Sequence, residues 1–151
     1  KRLEYASQET HCYEASLYVD GQKWGIVGNE GHGGCDWFHP ATGRTYADIR
    51  TLDERIKATM PPLQFEGGTL DPDLELICGE LVNTWLRDRD FAKAMKGKVL
   101  FTKPDVAGVW QVPVKKQNTH ASTLAAMRRI HPSYTYLSDL PVDQAKAIYF
   151  S

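Results

Sequence analysis

The sequence predicts an α+β fold: an antiparallel sheet, built from two hairpins, packed against three to four helices. Three observations carry this expectation. Asp20-Gly21 separates two runs that alternate apolar and polar residues, the mark of a two-residue hairpin. Leu74, Ile77, Cys78, Leu81, Val82 and Trp85 recur at helical spacing. Strands in hairpins are interspersed with helices, without the regular strand–helix–strand alternation that builds a parallel sheet.

In order along the chain, the first hairpin joins Glu14–Val19 to Gln22–Val27. Pairing Val19 with Gln22 sets Leu17 opposite Trp24 and Ala15 opposite Ile26, so five of six residues on one side are apolar. Leu3–Ala6 offers a third strand. The glycine-rich stretch Gly28–Gly34 then reads as a loop with an unusual backbone. Thr51-Leu52-Asp53-Glu54 has the form of a capping box that opens a short helix ended by Pro61-Pro62. Asp71-Pro72 supplies an N-cap and a first-turn proline for the longest helix, expected to run to about Leu86, with Phe91–Met95 a continuation or a second short helix. Lys98–Lys103 and Val109–Val114 form the second hairpin, and Pro113 assigns its second strand to a sheet edge. Thr119–Ile130 is a helix stopped at His131-Pro132, Tyr134–Leu137 a short strand, and Pro141–Tyr149 a last helix with Val142, Ala145, Ile148 and Tyr149 inward. The length, 151 residues, suits one domain over 1–151, with any subdomain seam near 61–68.

Composition narrows the class. Apolar residues make up 42% and charged residues 25%, which fits a folded globular chain. No stretch of about 18 apolar residues offers a membrane span. The charged first ten residues and three widely spaced cysteines, Cys12, Cys35 and Cys78, point to a reducing compartment, so a cytoplasmic location is expected. The net charge of −1 conceals segregation. Residues 61–90 carry 2 Lys/Arg against 7 Asp/Glu, and residues 91–151 carry 9 against 3.

The glycine loop lacks the Gly-Lys-Ser/Thr ending and following helix of a phosphate cradle, and the dinucleotide fingerprint fails likewise. His32, Cys35 and His39 are the residues for a metal site, but their spacing matches no zinc knuckle and Cys-x2-Cys is absent. The same three define the enzymatic alternative, a hydrolase or transferase with Cys35 as nucleophile and His32 or His39 as base. Against it, Cys35 is expected to be a small buried residue packing beside Trp37 and Phe38. Neither reading calls for a cofactor. In the basic third, Lys93, Lys96, Lys98, Lys103, Lys115, Lys116, Arg128 and Arg129 with Trp110, Tyr134 and Tyr136 form a further alternative, local nucleic-acid binding.

Tyr13-Glu14-Ala15-Ser16-Leu17-Tyr18-Val19-Asp20-Gly21, leading to Gly28-Asn29-Glu30-Gly31-His32-Gly33-Gly34, resembles uncharacterised small proteins of phages and bacterial mobile elements. The closing Leu137-Ser138-Asp139-Leu140-Pro141 is similar too. The resemblance implies a bacterial, accessory setting, such as inhibition of a host or defence protein, and brings no activity or site residue with it. The leading expectation is therefore a non-enzymatic interaction protein that binds a protein partner, such as a nucleic-acid-handling host complex. Its binding residues are expected among Trp37, Phe38 and His32 and, in the acidic segment, Glu66, Asp71, Asp73 and Glu75.

Overall fold

The computed structural model describes residues 10–65 and 67–151. The expected strand Leu3–Ala6 and the acidic Glu66 lie outside the described residues. The chain divides into two compact units, Lys1–Val82 and Asn83–Ser151. Both are mixed α and β, and among the described residues they hold four α-helices and three small antiparallel sheets. The two expected hairpins are present but belong to separate sheets, one in each unit, because each recruits a third strand of its own.

In the first unit, β1 (Tyr13–Val19) and β2 (Gln22–Asn29) are joined by Asp20 and Gly21, whose φ angles of 50° and 77° make the turn expected of Asp-Gly. Val19 pairs with Gln22 as expected, but a bulge at Leu17/Tyr18 shifts the rest of the register. Leu17 lies opposite Gly25 and Ala15 opposite Val27, leaving Trp24 as the extra residue. The shift carries Val27 rather than Ile26 into the core. It also leaves Trp24 only half-buried, with the Arg44 guanidinium 4.2 Å from its ring centre. The third strand of this sheet is β3 (Trp37–Pro40), on the free edge of β2.

Helix α1 (Tyr46–Thr59) starts six residues before the expected box. Thr45 and Asp48 form the reciprocal cap, and Thr51 is an interior residue whose hydroxyl donates to the Ala47 carbonyl. The earlier start extends the apolar face of one helix over Ile49, Leu52 and Ile56, all of which pack in the core. Pro61-Pro62 follows the C-cap Met60 as expected. A small hairpin, β4 (Leu63–Phe65) and β5 (Gly68–Leu70), stands where a loop was expected.

Helix α2 (Leu74–Gly97) is capped by Asp73, not Asp71, and continues eleven residues past Leu86. The Asp73 carboxylate accepts from the Leu76 N–H at 2.7 Å, and Pro72 is buried just ahead of the cap. Leu74, Cys78 and Val82 of the expected stripe join the core of the first unit, made with Tyr13, Val27, Ile49 and Leu52. Leu81 and Trp85 do not: they are 64% and 55% exposed.

In the second unit, β6 (Lys98–Lys103) is the central strand, flanked by β7 (Val106–Pro113) and β8 (Thr135–Tyr136). Successive β6 residues point to opposite faces. Leu100 packs with Phe91 and Ala94 of α2 and with Ala145 of α4 (Val142–Tyr149). Val99 and Phe101 pack with Leu124 of α3 (His120–Ile130) and with Tyr136. Pro113 stands on an edge strand, as expected, and Thr119 caps α3 reciprocally with Ser122. Of the residues expected inward on α4, Val142 is instead 62% exposed. No helix among the described residues is long and apolar enough to cross a membrane.

Candidate functional site

The glycine loop after β2 is organised by one buried polar side chain. Asn29 is 6% exposed, and its amide donates to the Gly34 carbonyl at 2.8 Å and to the Asp36 carboxylate at 2.9 Å. Its side-chain oxygen accepts from the Gly31 N–H at 2.8 Å and from the Thr10 hydroxyl at 2.7 Å. All of the amide's main hydrogen-bonding directions are thus used, as burial of such a group requires. Asp36 also accepts from the Tyr13 hydroxyl, while its own N–H donates to the Glu75 carboxylate at 2.9 Å. The loop is thereby tied to β1 and to the first turn of α2.

These contacts keep the neighbouring acids protonated. Burial, then the hydrogen bond to Asp36 and the charges of Asp36 and Glu75, pushes the Tyr13 phenol well above its ordinary value. Burial, with the same two carboxylates, pushes the Cys78 thiol up to about 12. Cys78 is therefore an inert core thiol. Gly28 admits the Trp37 indole, since a Cβ there would lie 2.4 Å from the ring and 2.6 Å from the Tyr13 carbonyl oxygen.

Beside this network, still within the first unit, an open cleft of about 450 Å³ is lined by Phe38, Tyr46, Ile49, Arg50, Asp53, Asp73, Leu74 and Glu75. Strand β3 supplies Phe38, α1 supplies Tyr46 to Asp53, and the start of α2 supplies the rest. The amides at the α2 N-terminus are already served, Leu74 N–H by Asp53 at 2.8 Å and Leu76 N–H by Asp73. These two donors of the helix end are therefore taken by the protein's own carboxylates. Burial opposes ionisation of Asp53, but hydrogen bonds from Lys57 and the Leu74 N–H hold its carboxyl below the ordinary 3.8. Three carboxylates, one guanidinium and two aromatic rings line the cleft, and one of the carboxylates, Asp53, is paired with Lys57 at 2.7 Å. Such a lining accepts a cationic, partly apolar group through charge pairing and ring-face contact. No cysteine, serine or histidine is among the lining residues.

The structure thus brings together three of the expected binding residues, Phe38, Asp73 and Glu75. Trp37 is adjacent in sequence but lies on the opposite face of β3, half-buried against Gly28, with the His39 ring 4.9 Å away. Asp71 and His32 are exposed and outside the cleft lining. His39 faces the Tyr46 hydroxyl at 3.3 Å. Cys35 is exposed, which corrects the expectation of a buried thiol beside Trp37 and Phe38. Among the described residues, no group of three or more His, Cys, Asp or Glu side chains is placed to hold a metal ion.

Sequence reasoning misses Tyr46, Arg50 and Asp53 as site residues, because the box at Thr51–Glu54 places the helix start too late. Asn29 and Asp36 bracket the glycine loop. A carboxamide closing a strand and a carboxylate opening the next are the one sequence signal that the loop is internally tied. No protein-family model, curated protein or solved structure matches the chain.

Proposed function

We propose that the chain is a non-enzymatic interaction protein whose first unit receives a basic segment of a protein partner. The observation that supports this best is the convergence of Phe38, Tyr46, Asp73 and Glu75 on one open cleft. Net charge supports it as well: residues 1–82 carry 14 Asp/Glu against 7 Lys/Arg, a field that steers a cationic partner. A lysine or arginine in the cleft would set its charge between Asp73 and Glu75 and its stem on the rings. The phage-like sequence features favour a bacterial cytoplasmic setting and a host or defence protein as the partner, with nucleic-acid-handling complexes a natural source of exposed basic segments.

The test is binding of a labelled arginine- and lysine-rich peptide, followed by fluorescence anisotropy, to the parent and to Asp73→Asn/Glu75→Gln. Asparagine still caps a helix and glutamine still accepts from the Asp36 N–H, so charge is removed with the fold retained. The double variant is expected to bind at least tenfold more weakly. Equal affinity would exclude the cleft as the binding site.

The enzymatic reading has one observation in its favour, the exposure of Cys35. It requires turnover of a peptide or ester substrate that Cys35→Ser abolishes.

A further inference from the structure

The second unit has the opposite charge. Residues 83–151 carry 11 Lys/Arg against 5 Asp/Glu. Three of those five acids are already paired, Asp88 with Lys146, Asp90 with Arg89 and Asp139 with Arg128. The surplus cations are not scattered. Helix α2 ends at Gly97 and β6 begins at Lys98, while Pro113, the last residue of β7, pairs with Lys98. The Val114 N–H donates to the Gly97 carbonyl at 3.0 Å. This one junction brings Lys96 and Lys98 beside Lys115 and Lys116, with Lys93 one helical turn behind Lys96. His120, at the start of α3, joins them through its ring nitrogen, 3.1 Å from the Lys98 carbonyl oxygen. The first turn of α3 has no acid to offset them. Among the described residues, Lys93, Lys96, Lys115 and Lys116 have no carboxylate partner and are exposed.

Two of these lysines, Lys93 and Lys96, suit a helix C-terminus, where cations are favoured in any protein. That accounts for two of the four; Lys115 and Lys116 lie on an unrelated loop and answer to no helix end. Farther along the same edge strand stands Trp110, 43% exposed, with the Lys103 ammonium 3.5 Å from its ring centre. Lys115 lies five residue steps beyond Trp110, a span of about 16 Å when extended. That is the reach of a few nucleotides.

We infer that the lysine corner formed by Lys93, Lys96, Lys115 and Lys116, together with Trp110 on the edge of β7, is a binding surface for single-stranded nucleic acid. The lysines contact successive phosphates as point charges, and the indole stacks on a base. A single strand is favoured over a duplex because its bases are free to stack, and over an acidic protein segment because an exposed indole stands on the edge strand that leads into the corner. This surface is independent of the cleft of the first unit. The variants that test it leave Asp73 and Glu75 untouched, so either assignment can fail alone.

The experiment is anisotropy of a labelled oligothymidylate of about 16 nucleotides, titrated with the full chain at several salt concentrations. Four phosphate contacts predict a loss of about 50-fold in affinity between roughly 50 and 200 mM salt. Lys115→Ala/Lys116→Ala should lower the slope of log affinity against log salt by about 1.4. Trp110→Ala should weaken binding about tenfold while leaving that slope unchanged. Circular dichroism shows whether each variant retains the parent fold; Lys115 and Lys116 are exposed loop residues, so the double variant remains decisive even where Trp110→Ala disturbs β7. An unchanged slope in the lysine variant would overturn the proposal. So would equal affinity for polyglutamate, which assigns the corner to acidic protein, or concentration-dependent self-association in sedimentation that the lysine variant abolishes, which assigns it to the acidic unit of a second copy.

Discussion

Replacing Asn29 by alanine removes four hydrogen bonds at once from a residue that is 6% exposed. Three of them join neutral groups, each worth about 1 kcal/mol net, and the fourth joins the Asp36 carboxylate, worth about 1.5–3 kcal/mol. The Gly34 carbonyl and the Thr10 hydroxyl are near enough to the surface to regain water, which returns part of the loss. The Gly31 N–H is buried and regains none. The expected cost is about 3–5 kcal/mol, a large share of the ~5–15 kcal/mol that holds a domain folded. At a urea dependence near 1.5 kcal/mol/M the midpoint falls by about 2–3 M. Because the chain has two units, the loss should be read locally, as hydrogen exchange measured by mass spectrometry in peptides covering residues 26–40. Those amides should lose protection while peptides from residues 98–113 keep theirs. Asn29→Asp is the sharper control, since it places a second, buried carboxylate against Asp36; repulsion and burial raise its folded pKa, so stability should be recovered as pH falls toward the ordinary carboxyl range. A cost under about 1 kcal/mol for Asn29→Ala would refute the claim that this side chain organises the loop.

Other outcomes follow from the same geometry. Gly21→Val meets no atom within 4 Å, so its cost is that of a β-branched residue at φ 77°, about 1–2 kcal/mol in a urea melt. In native protein, iodoacetamide should label Cys35 readily, while the buried Cys12 and Cys78 react only on unfolding, as peptide mapping would show. A Cys35 labelling midpoint far below the ordinary thiol range would favour the enzymatic reading. Acid should weaken the first unit. The Asp53 carboxyl is held below its unfolded 3.8, so its contribution is complete above that value and is lost as pH falls through the folded one. Thermal melts of the parent and Asp53→Asn should therefore converge below about pH 4.

Local chemistry was legible wherever one signal decided the outcome. Asp20-Gly21 dictated its turn and Pro113 its edge position, because each rests on a backbone property of one or two residues. The misreadings arose where two local signals competed. Thr45-x-x-Asp48 and Thr51-x-x-Glu54 both have capping form, and burial of Ile49 and Leu52 decided for the first. Asp71 and Asp73 both suit an N-cap, and the burial of Pro72 decided for the second. The bulge at Leu17/Tyr18 left no mark that alternation reveals, since Trp24 looks inward-facing in either register. The separation of the hairpins into two sheets depends on β3 and β8, two short strands that carry little periodicity. For the site, the acidic character of Asp73 and Glu75 was visible, but their meeting with Phe38 and Tyr46 depends on how α1 and β3 pack around the start of α2.

The most direct test of the cleft is quantitative affinity capture from a bacterial lysate with a photo-crosslinking residue in place of Tyr46, comparing the otherwise unchanged chain with Asp73→Asn/Glu75→Gln. The expected result is a partner crosslinked at position 46 through a lysine- or arginine-rich segment, with recovery falling at least tenfold in the charge-neutralised chain. Crosslinking of that segment to equal extent in both chains, or crosslinks only to acidic or uncharged segments, would contradict a cleft built for a basic segment.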